Sequence, residues 1–123
     1  MITGVGIDMV RVDRMEKWLV NSKLLQRYFH HDELEIVFSR GKTAAQSLAA
    51  RFAAKEAFGK ALGTGLANIA LKDIMVLSSG GKPEIKLLGT AQKALEKSGA
   101  DRMHISLTHE RENAVAMVVL EEV

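Results

Sequence analysis

The sequence is most restrictive in what it lacks. None of its 123 residues is cysteine, which excludes disulfide bridges and metal sites built on thiolates. No segment approaches the roughly 18 consecutive apolar residues that cross a bilayer, and no basic region followed by an apolar run opens the chain. We therefore expect neither a signal peptide nor contact with a membrane, and we expect a cytoplasmic location.

Aromatic residues and nucleotide-binding motifs are also scarce. Phe, Trp and Tyr make up 5% of the chain, too few to predict stacking on bases, so we expect no nucleic-acid partner. No GxxxxGK[ST] segment occurs, and a dinucleotide fingerprint that began at Gly4-Val5-Gly6 would need a third glycine where Met9 stands. The four histidines show no HExxH spacing, which argues against a zinc site.

The composition that remains is typical of a folded protein. We expect a single domain over residues 1–123, and a chain of this size needs a second subunit to enclose a large ligand. Charge is unevenly distributed: residues 11–27 carry five basic and two acidic side chains, whereas residues 84–123 carry five basic and seven acidic ones. The basic segment is either a solvated helix face or a docking surface for an acidic partner.

Hydrophobic periodicity predicts an α+β fold. It consists of a small antiparallel sheet, one long helix and several short helices, with helices and hairpins segregated along the chain. Leu34 and Phe38 should share one face of the third helix, and Ser79-Gly80-Gly81-Lys82-Pro83 should form a hairpin with glycines at the turn. The predicted strands are 2–10, 73–78, 84–88, 103–108 and 114–121, and the predicted helices are 13–21, 24–29, 31–39, 43–62 and 90–98.

The long helix carries the first candidate site. Phe52, Glu56 and Lys60 follow one another at intervals of four residues and therefore share one face. That face begins with Leu48, so it should point inward and carry a carboxylate and an ammonium towards a partly buried site. The spacing alone is equally compatible with an exposed Glu–Lys pair worth a few tenths of a kcal/mol.

A second carboxylate, Asp8, stands near the end of the first predicted strand. Gly4 and Gly6 precede it and permit the close approach of another backbone or of a ligand. Taken alone, Asp8 is more typical of a turn or a helix cap. Together with Glu56 it could hold Mg²⁺, which binds one or two protein carboxylates and completes its shell with water and phosphate oxygens.

These motifs, in this order, resemble the phosphopantetheinyl transferase superfamily and, more narrowly, the holo-acyl-carrier-protein synthase family. The resemblance runs nearly end to end and implies a phosphopantetheinyl-transferase-like fold. The segments that carry it are Gly6-Ile7-Asp8, Arg51-Phe52-Ala53-Ala54-Lys55-Glu56-Ala57-Phe58 with Lys60, Gly63-Thr64-Gly65, Gly81-Lys82-Pro83 and Ile105-Ser106-Leu107-Thr108-His109.

The resemblance implies an enzyme that moves phosphopantetheine from coenzyme A to a serine of apo acyl carrier protein and releases adenosine bisphosphate. By the same resemblance, Asp8 and Glu56 would ligate Mg²⁺. Glu56, or a water molecule beside it, would accept the proton of the serine. Lys60 would stabilise or protonate the leaving phosphate, a role that suits an ammonium because it is both a point charge and a donor.

Further residues are implied as coenzyme A contacts. Backbone N–H groups of Gly63, Thr64 and Gly65 would face a phosphate or the adenine. The side chains implied to meet phosphates or the nucleotide are Lys60, Arg51, Lys82 with Pro83, and His109. Glu110 departs from the family pattern, which has Ser or Thr after the histidine, and its carboxylate should point away from a phosphate.

Two partners follow from the resemblance. Acyl carrier protein is acidic, and its docking surface would comprise Arg11, Arg14, Met15, Lys17 and Trp18. A homotrimer would place the site between subunits, with the apolar strand 114–120 either at the interface or in the core. A coenzyme A or carrier-protein binding module without turnover is the alternative function, although Asp8, Glu56 and Lys60 are all present.

Overall fold

The predicted α+β class is confirmed by the structure, a computed structural model that describes residues 1–79 and 81–123. Helices and strands begin and end within a few residues of the predicted positions. Gly80, in the predicted hairpin turn, lies outside the described residues. The elements are β1 (Ile2–Arg11), α1 (Val12–Trp18), α2 (Ser22–Tyr28), α3 (His31–Ser39), α4 (Ala44–Leu62), β2 (Ile74–Ser79), β3 (Lys82–Leu87), α5 (Gly89–Ser98), β4 (Arg102–His109) and β5 (Asn113–Glu121).

The strands form two antiparallel sheets. The larger has the order β1-β5-β4, so the first strand pairs with the last, and the smaller is the hairpin of β2 and β3. Side chains alternate across the larger sheet. On β5, Ala114, Ala116, Val118 and Leu120 are buried in the core, whereas the residues between them face outward.

Helix α4 lies at the centre of the molecule and covers the inner face of the larger sheet. It is buried on almost all sides, because its sequence is rich in alanine and packs against both β1 and the helices around it. Gly4 and Gly6 make the contact with β1 possible. A Cβ at Gly4 would lie 1.9 Å from the Ala61 carbonyl oxygen, and one at Gly6 would lie 1.9 Å from that of Ala57.

The sequence left open whether Gly4 and Gly6 permit the close approach of another backbone or of a ligand. The structure shows that both lie against the backbone of α4. The helix then ends as predicted at Gly63, which adopts a left-handed conformation with φ of 82°.

The face of α3 that Leu34 and Phe38 share is not its most buried face. In α3 the fully buried side chains are Glu33 and Val37, whereas Phe38 is 54% exposed. Glu33 is buried because a lysine of α4 reaches it, an interaction that hydrophobic periodicity within α3 does not report.

The outer face of the larger sheet is apolar along β1 and β5. Val5, Ile7 and Met9 of β1 pair with Val119, Met117 and Val115 of β5, and the β1 side chains are 54 to 65% exposed. The same face of β4 presents polar residues. Among the described residues, no helix has the length and apolar character needed to cross a lipid bilayer.

Candidate active site

The close contact of β1 with α4 brings Asp8 and Lys60 together. The inward-facing row of β1 runs Gly4, Gly6, Asp8, so the two glycines bring the strand against the helix and Asp8 then faces its last turns. The Lys60 ammonium donates to Asp8 Oδ1 at 3.0 Å and to the Ile7 carbonyl oxygen at 3.1 Å. The Lys60 side chain is 56% exposed and that of Asp8 is 19% exposed, so the pair lies at the mouth of the site.

Glu56 is the third member of this group, one helical turn before Lys60. Burial raises the pKa of the Glu56 carboxyl above its ordinary value, and the negative charge of Asp8 raises it further. The positive charges of Lys60 and Arg14 act in the opposite direction. The structure therefore brings all three predicted catalytic residues together, with two carboxylates near enough to repel each other.

The donor set fits a hard divalent cation. Two carboxylates whose mutual repulsion raises the pKa of Glu56 would be stabilised by a cation between them. No group of three or more His, Cys, Asp or Glu side chains within residues 1–79 and 81–123 is arranged to hold a metal. A site of two carboxylates suits Mg²⁺, which takes its remaining ligands from water and substrate phosphates, and does not suit zinc.

A second group of predicted residues meets elsewhere. Arg51, Pro83 and His109 line one pocket of about 230 Å³, together with Arg40, Thr43, Ser47, Ala50, Ser78, Gly81 and Leu107. Arg51 is 4% exposed, and its Nη1 donates to the Ser47 hydroxyl at 2.6 Å while its Nη2 donates to the Ser78 hydroxyl at 3.3 Å. Its Nε is buried and has no hydrogen-bond partner among the described residues.

The Arg51 pocket and the group formed by Asp8, Glu56 and Lys60 lie on opposite sides of α4. Arg51 and Lys60 are nine residues apart, which places them about 180° apart around the helix and about 14 Å apart along its axis. Within one chain the body of α4 therefore separates the Arg51 pocket from Asp8, Glu56 and Lys60.

The remaining predicted coenzyme A contacts are dispersed. Thr64 lines a pocket of about 630 Å³ beside α5, and Lys82 lines one of about 360 Å³ between β3 and β4, which Pro83 also borders. The N–H groups of Gly63 and Gly65 donate to the carbonyl oxygens of Lys60 and Gly59, so they close the end of α4 and are already engaged.

The predicted docking helix is partly exposed, with one correction. Met15 has no exposed surface because it packs into the core, so its assignment to the docking surface is wrong. Arg14 is exposed, and its guanidinium lies 5.7 Å from the Trp18 ring centre and 5.2 Å from that of Phe52. Arg11 and Lys17 are exposed as predicted, although Arg11 pairs with Asp13 at 2.8 Å.

The Glu110 side chain does not line the Arg51 pocket and is engaged within the turn between β4 and β5. Its carboxylate accepts hydrogen bonds from the Glu112 N–H at 3.0 Å and from the Asn113 side chain at 3.2 Å. The turn between β4 and β5 thus holds this charge apart from His109, which lines the pocket.

The two residues whose hydroxyl groups bond to Arg51, and the arginine that shares one of them, were missed in the sequence. Ser47 stands one helical turn before Arg51, so helical spacing contained a signal for it. Arg40 and Ser78 had no such signal, because they reach the pocket from α3 and β2 through the tertiary fold.

The comparisons with known proteins cover nearly the whole chain. The family model described as 4'-phosphopantetheinyl transferase superfamily matches residues 4–118. A protein of Treponema denticola named holo-[acyl-carrier-protein] synthase is 57% identical over 122 residues, which is 98% of this chain and 99% of that protein.

Solved structures show the same fold. The holo-[acyl-carrier-protein] synthase of Neisseria meningitidis matches with a TM-score of 0.86 and 33% identity over 99% of this chain and 100% of that one. A holo-(acyl-carrier-protein) synthase of Bacillus anthracis, in complex with CoA (3',5'-ADP), matches with a TM-score of 0.81 and 35% identity over 100% of this chain and 99% of that one.

Proposed function

This chain belongs to the 4'-phosphopantetheinyl transferase superfamily, and we propose that it carries out its transfer at the site where Asp8, Glu56 and Lys60 meet. The chain transfers phosphopantetheine from coenzyme A to a serine of apo acyl carrier protein. The observation that carries the choice of site is the contact between β1 and α4, which brings two carboxylates and an ammonium from distant parts of the sequence to one surface.

The reaction exchanges one phosphorus–oxygen bond for another. The serine oxygen forms a bond to the β-phosphorus, and the bond from that phosphorus to the bridging oxygen breaks, so adenosine 3',5'-bisphosphate leaves with the electron pair. The leaving group needs charge stabilisation or a proton, and the serine must lose its proton as the new bond forms.

Glu56 is positioned to accept the serine proton. Its carboxyl is partly buried on the face of α4 that meets Asp8, so Glu56, or a water molecule beside it, can take the proton as the phosphorus–oxygen bond forms. Lys60 sits one turn further along the same helix face, and its ammonium serves the leaving phosphate. The rigid helix fixes the spacing between the group that takes the proton and the group that stabilises the departing charge.

Mg²⁺ would be held by Asp8 and Glu56. The chemistry that a bound Mg²⁺ supplies is polarisation of the phosphoryl group and compensation of the charge on its oxygens. Asp8 has a further task in this chain, because its Oδ1 accepts the Lys60 hydrogen bond and so holds that ammonium at the site.

The test is a mass measurement on carrier protein. Purified chain with Mg²⁺ and coenzyme A should increase the mass of apo acyl carrier protein by one phosphopantetheine group. Glu56→Gln should abolish the increase while the far-ultraviolet circular dichroism spectrum stays that of the wild type. Glu35→Gln, which changes an exposed carboxylate on α3, is the matched control and should be fully active.

The alternative, a binding module without turnover, makes a different prediction. It predicts magnesium-dependent binding of coenzyme A in a calorimeter with no mass increase in any apo carrier protein. That pair of results would refute the transfer.

The active unit in this proposal is a homotrimer with its sites between subunits. Two features support it: the exposed apolar face made by β1 and β5, and the separation of the Arg51 pocket from Lys60 by the body of α4. One coenzyme A would then contact Arg51, Pro83 and His109 of one subunit and Asp8, Glu56 and Lys60 of the next. Strand β5 would serve both roles left open for it, with its inner row in the core and its outer row at the interface.

Mixed assemblies test this arrangement. Glu56→Gln and Arg51→Ala should each be inactive alone. Refolding equal amounts of the two together should restore about a quarter of the wild-type activity, because a shared site is intact only where one subunit retains Glu56 and its neighbour retains Arg51, which random assembly gives at about one site in four. No recovery from a mixture that forms trimers would refute a site shared between subunits. Light scattering should give three times the chain mass of 13.5 kDa.

The basic face of α1 is the proposed contact for the carrier protein. Arg14, Lys17 and Arg11 supply positive charge, and Trp18 supplies the half-buried apolar surface between them. Burial and the charge of Asp8 raise the pKa of Glu56, and the positive charge of Arg14 opposes that rise, so this face lies close enough to the site to deliver a serine to it.

A further inference from the structure

Helix α5 borders a groove that the proposed transfer does not use. Lys93, Ala94 and Lys97 share one face of the helix because they stand three and four residues apart, and this face lines a cavity of about 630 Å³. The opposite wall of this α5 groove is the segment 64–69, which follows the end of α4. The volume lies within the range of about 300–1,000 Å³ that is typical of small-molecule sites. The α5 groove shares no lining residue with the Arg51 pocket.

Hydrogen bonds fix the two walls of the α5 groove relative to each other. The Thr90 hydroxyl accepts from the Ala70 N–H at 2.9 Å and donates to Asp73 Oδ2 at 2.6 Å, so it joins the start of α5 to the chain that leaves the opposite wall. The Gly65 N–H donates to the Gly59 carbonyl oxygen at 3.0 Å and ties that wall to α4. A ligand therefore need not order this segment when it binds, which removes one cost of binding.

The α5 groove combines apolar surface with positive charge. Ile69, which is almost fully buried, and the half-buried Ala94 supply apolar surface from opposite walls. Lys93 and Lys97 are exposed, and among the described residues neither ammonium forms an ion pair with a carboxylate. Glu96, their acidic neighbour in α5, accepts a hydrogen bond from a glutamine side chain instead. No acidic residue of the described chain lines the groove, so the charge of the two lysines is not compensated there.

These features select a ligand that is apolar along its length and anionic at one end. An uncharged apolar ligand would leave both ammonium groups without a partner, and a small inorganic anion would leave the apolar surface in contact with water. We propose that the α5 groove binds a fatty-acid anion of medium chain length. Its chain lies against Ile69 and Ala94, and its carboxylate pairs with Lys93 and Lys97. This site is separate from Asp8, Glu56 and Lys60, so the proposal does not rest on the proposed function.

The principal test is a nuclear magnetic resonance titration of the full chain with octanoate. Octanoate should bind at one site per chain, and Lys93→Ala/Lys97→Ala should weaken its affinity about three- to tenfold, the effect of losing two exposed ion pairs. Lys23→Ala/Lys86→Ala is the matched control, because it removes the same charge at exposed positions outside the α5 groove. The control should bind octanoate as the wild type does. Equal weakening in both double variants would show only long-range attraction and would overturn the proposal.

The apolar part of the proposal is tested by changing the chain of the ligand and the surface of the groove. Butanoate should bind roughly tenfold more weakly than octanoate, because it removes four fewer methylene groups from water. Octanol, which has the same chain without the charge, should also bind more weakly than octanoate. Ala94→Trp fills the groove from α5 and should abolish binding. Equal affinity for butanoate and octanoate, or undiminished binding by Ala94→Trp, would overturn the proposal.

The same titration locates the ligand and separates it from coenzyme A. The amide signals of Thr64, Asn68 and Ala94 should shift with octanoate, and saturating coenzyme A should not reverse those shifts. Displacement of octanoate by coenzyme A would place the fatty acid in the donor site and overturn the proposal. Thermal unfolding of Lys93→Ala/Lys97→Ala should match the wild type, since both side chains are exposed. None of these measurements requires transfer, so their outcome is independent of the proposed function.

Discussion

Lys55 stands next to Glu56 in the sequence, yet it faces the core. Its side chain has no exposed surface, and its ammonium donates to Glu33 Oε1 at 2.7 Å, to the Leu71 carbonyl oxygen at 2.8 Å and to that of Ile74. Glu33, equally buried, accepts from the His30 N–H at 3.0 Å and the Val76 N–H at 3.1 Å. This ion pair connects α3, α4 and β2 behind the proposed active site, so we expect its loss to destabilise the whole fold.

The magnitude follows from what Lys55→Met leaves behind. The substitution preserves side-chain volume, but it leaves the buried carboxylate of Glu33 without its cation and removes the donor from the carbonyl groups of Leu71 and Ile74. Breaking a buried pair in this way costs about 3–5 kcal/mol. A domain of this size has about 5–15 kcal/mol of stability in total, so the melting temperature should fall by roughly 10–20 °C.

Denaturant and thermal unfolding should be measured on Lys55→Met, Glu33→Gln and the double variant. Each single variant should lose stability. The double variant should lose clearly less than the sum of the two single losses, because it contains no unpaired buried charge. A Lys55→Met protein that melts within about 3 °C of the wild type would refute the reasoning. Additive losses in the double variant would show that the two groups do not act as a pair.

Two further predictions test the geometry around the site. Gly6→Ala would put a Cβ 1.9 Å from the Ala57 carbonyl oxygen, so β1 must move away from α4. We expect a loss of about 1–3 kcal/mol in urea unfolding and at least a tenfold drop in transfer, whereas Lys23→Ala, at an exposed position on α2, should be silent. Normal transfer by Gly6→Ala would show that Asp8 need not be held against α4. Arg14→Glu should raise KM for the carrier protein about tenfold and make that KM less dependent on salt concentration, whereas KM for coenzyme A should be unchanged. Equal effects on both substrates would argue against docking at α1, and Arg111→Glu, an exposed arginine outside α1, is the matched control.

The sequence by itself determined much of the local structure and the family. Helix α4 was predictable because propensity and periodicity act over a few residues, and its end at Gly63 follows from the left-handed conformation that glycine permits. The shared face of Glu56 and Lys60 follows from the same helical geometry. The motifs and their order predicted the superfamily, which the matches over nearly the whole chain confirm.

Only the tertiary structure decided which side chains meet across long separations. The hydrogen bond between Asp8 and Lys60 spans 52 residues and depends on two glycines that fit the backbone of α4. The burial of Met15 and Glu33 depends on the elements packed over them, and so does the convergence of Arg40 with Arg51 on Ser78. Periodicity reports the environment of residues within one helix or strand, whereas these contacts depend on how helices and strands pack together. The proposed active site is formed by such packing.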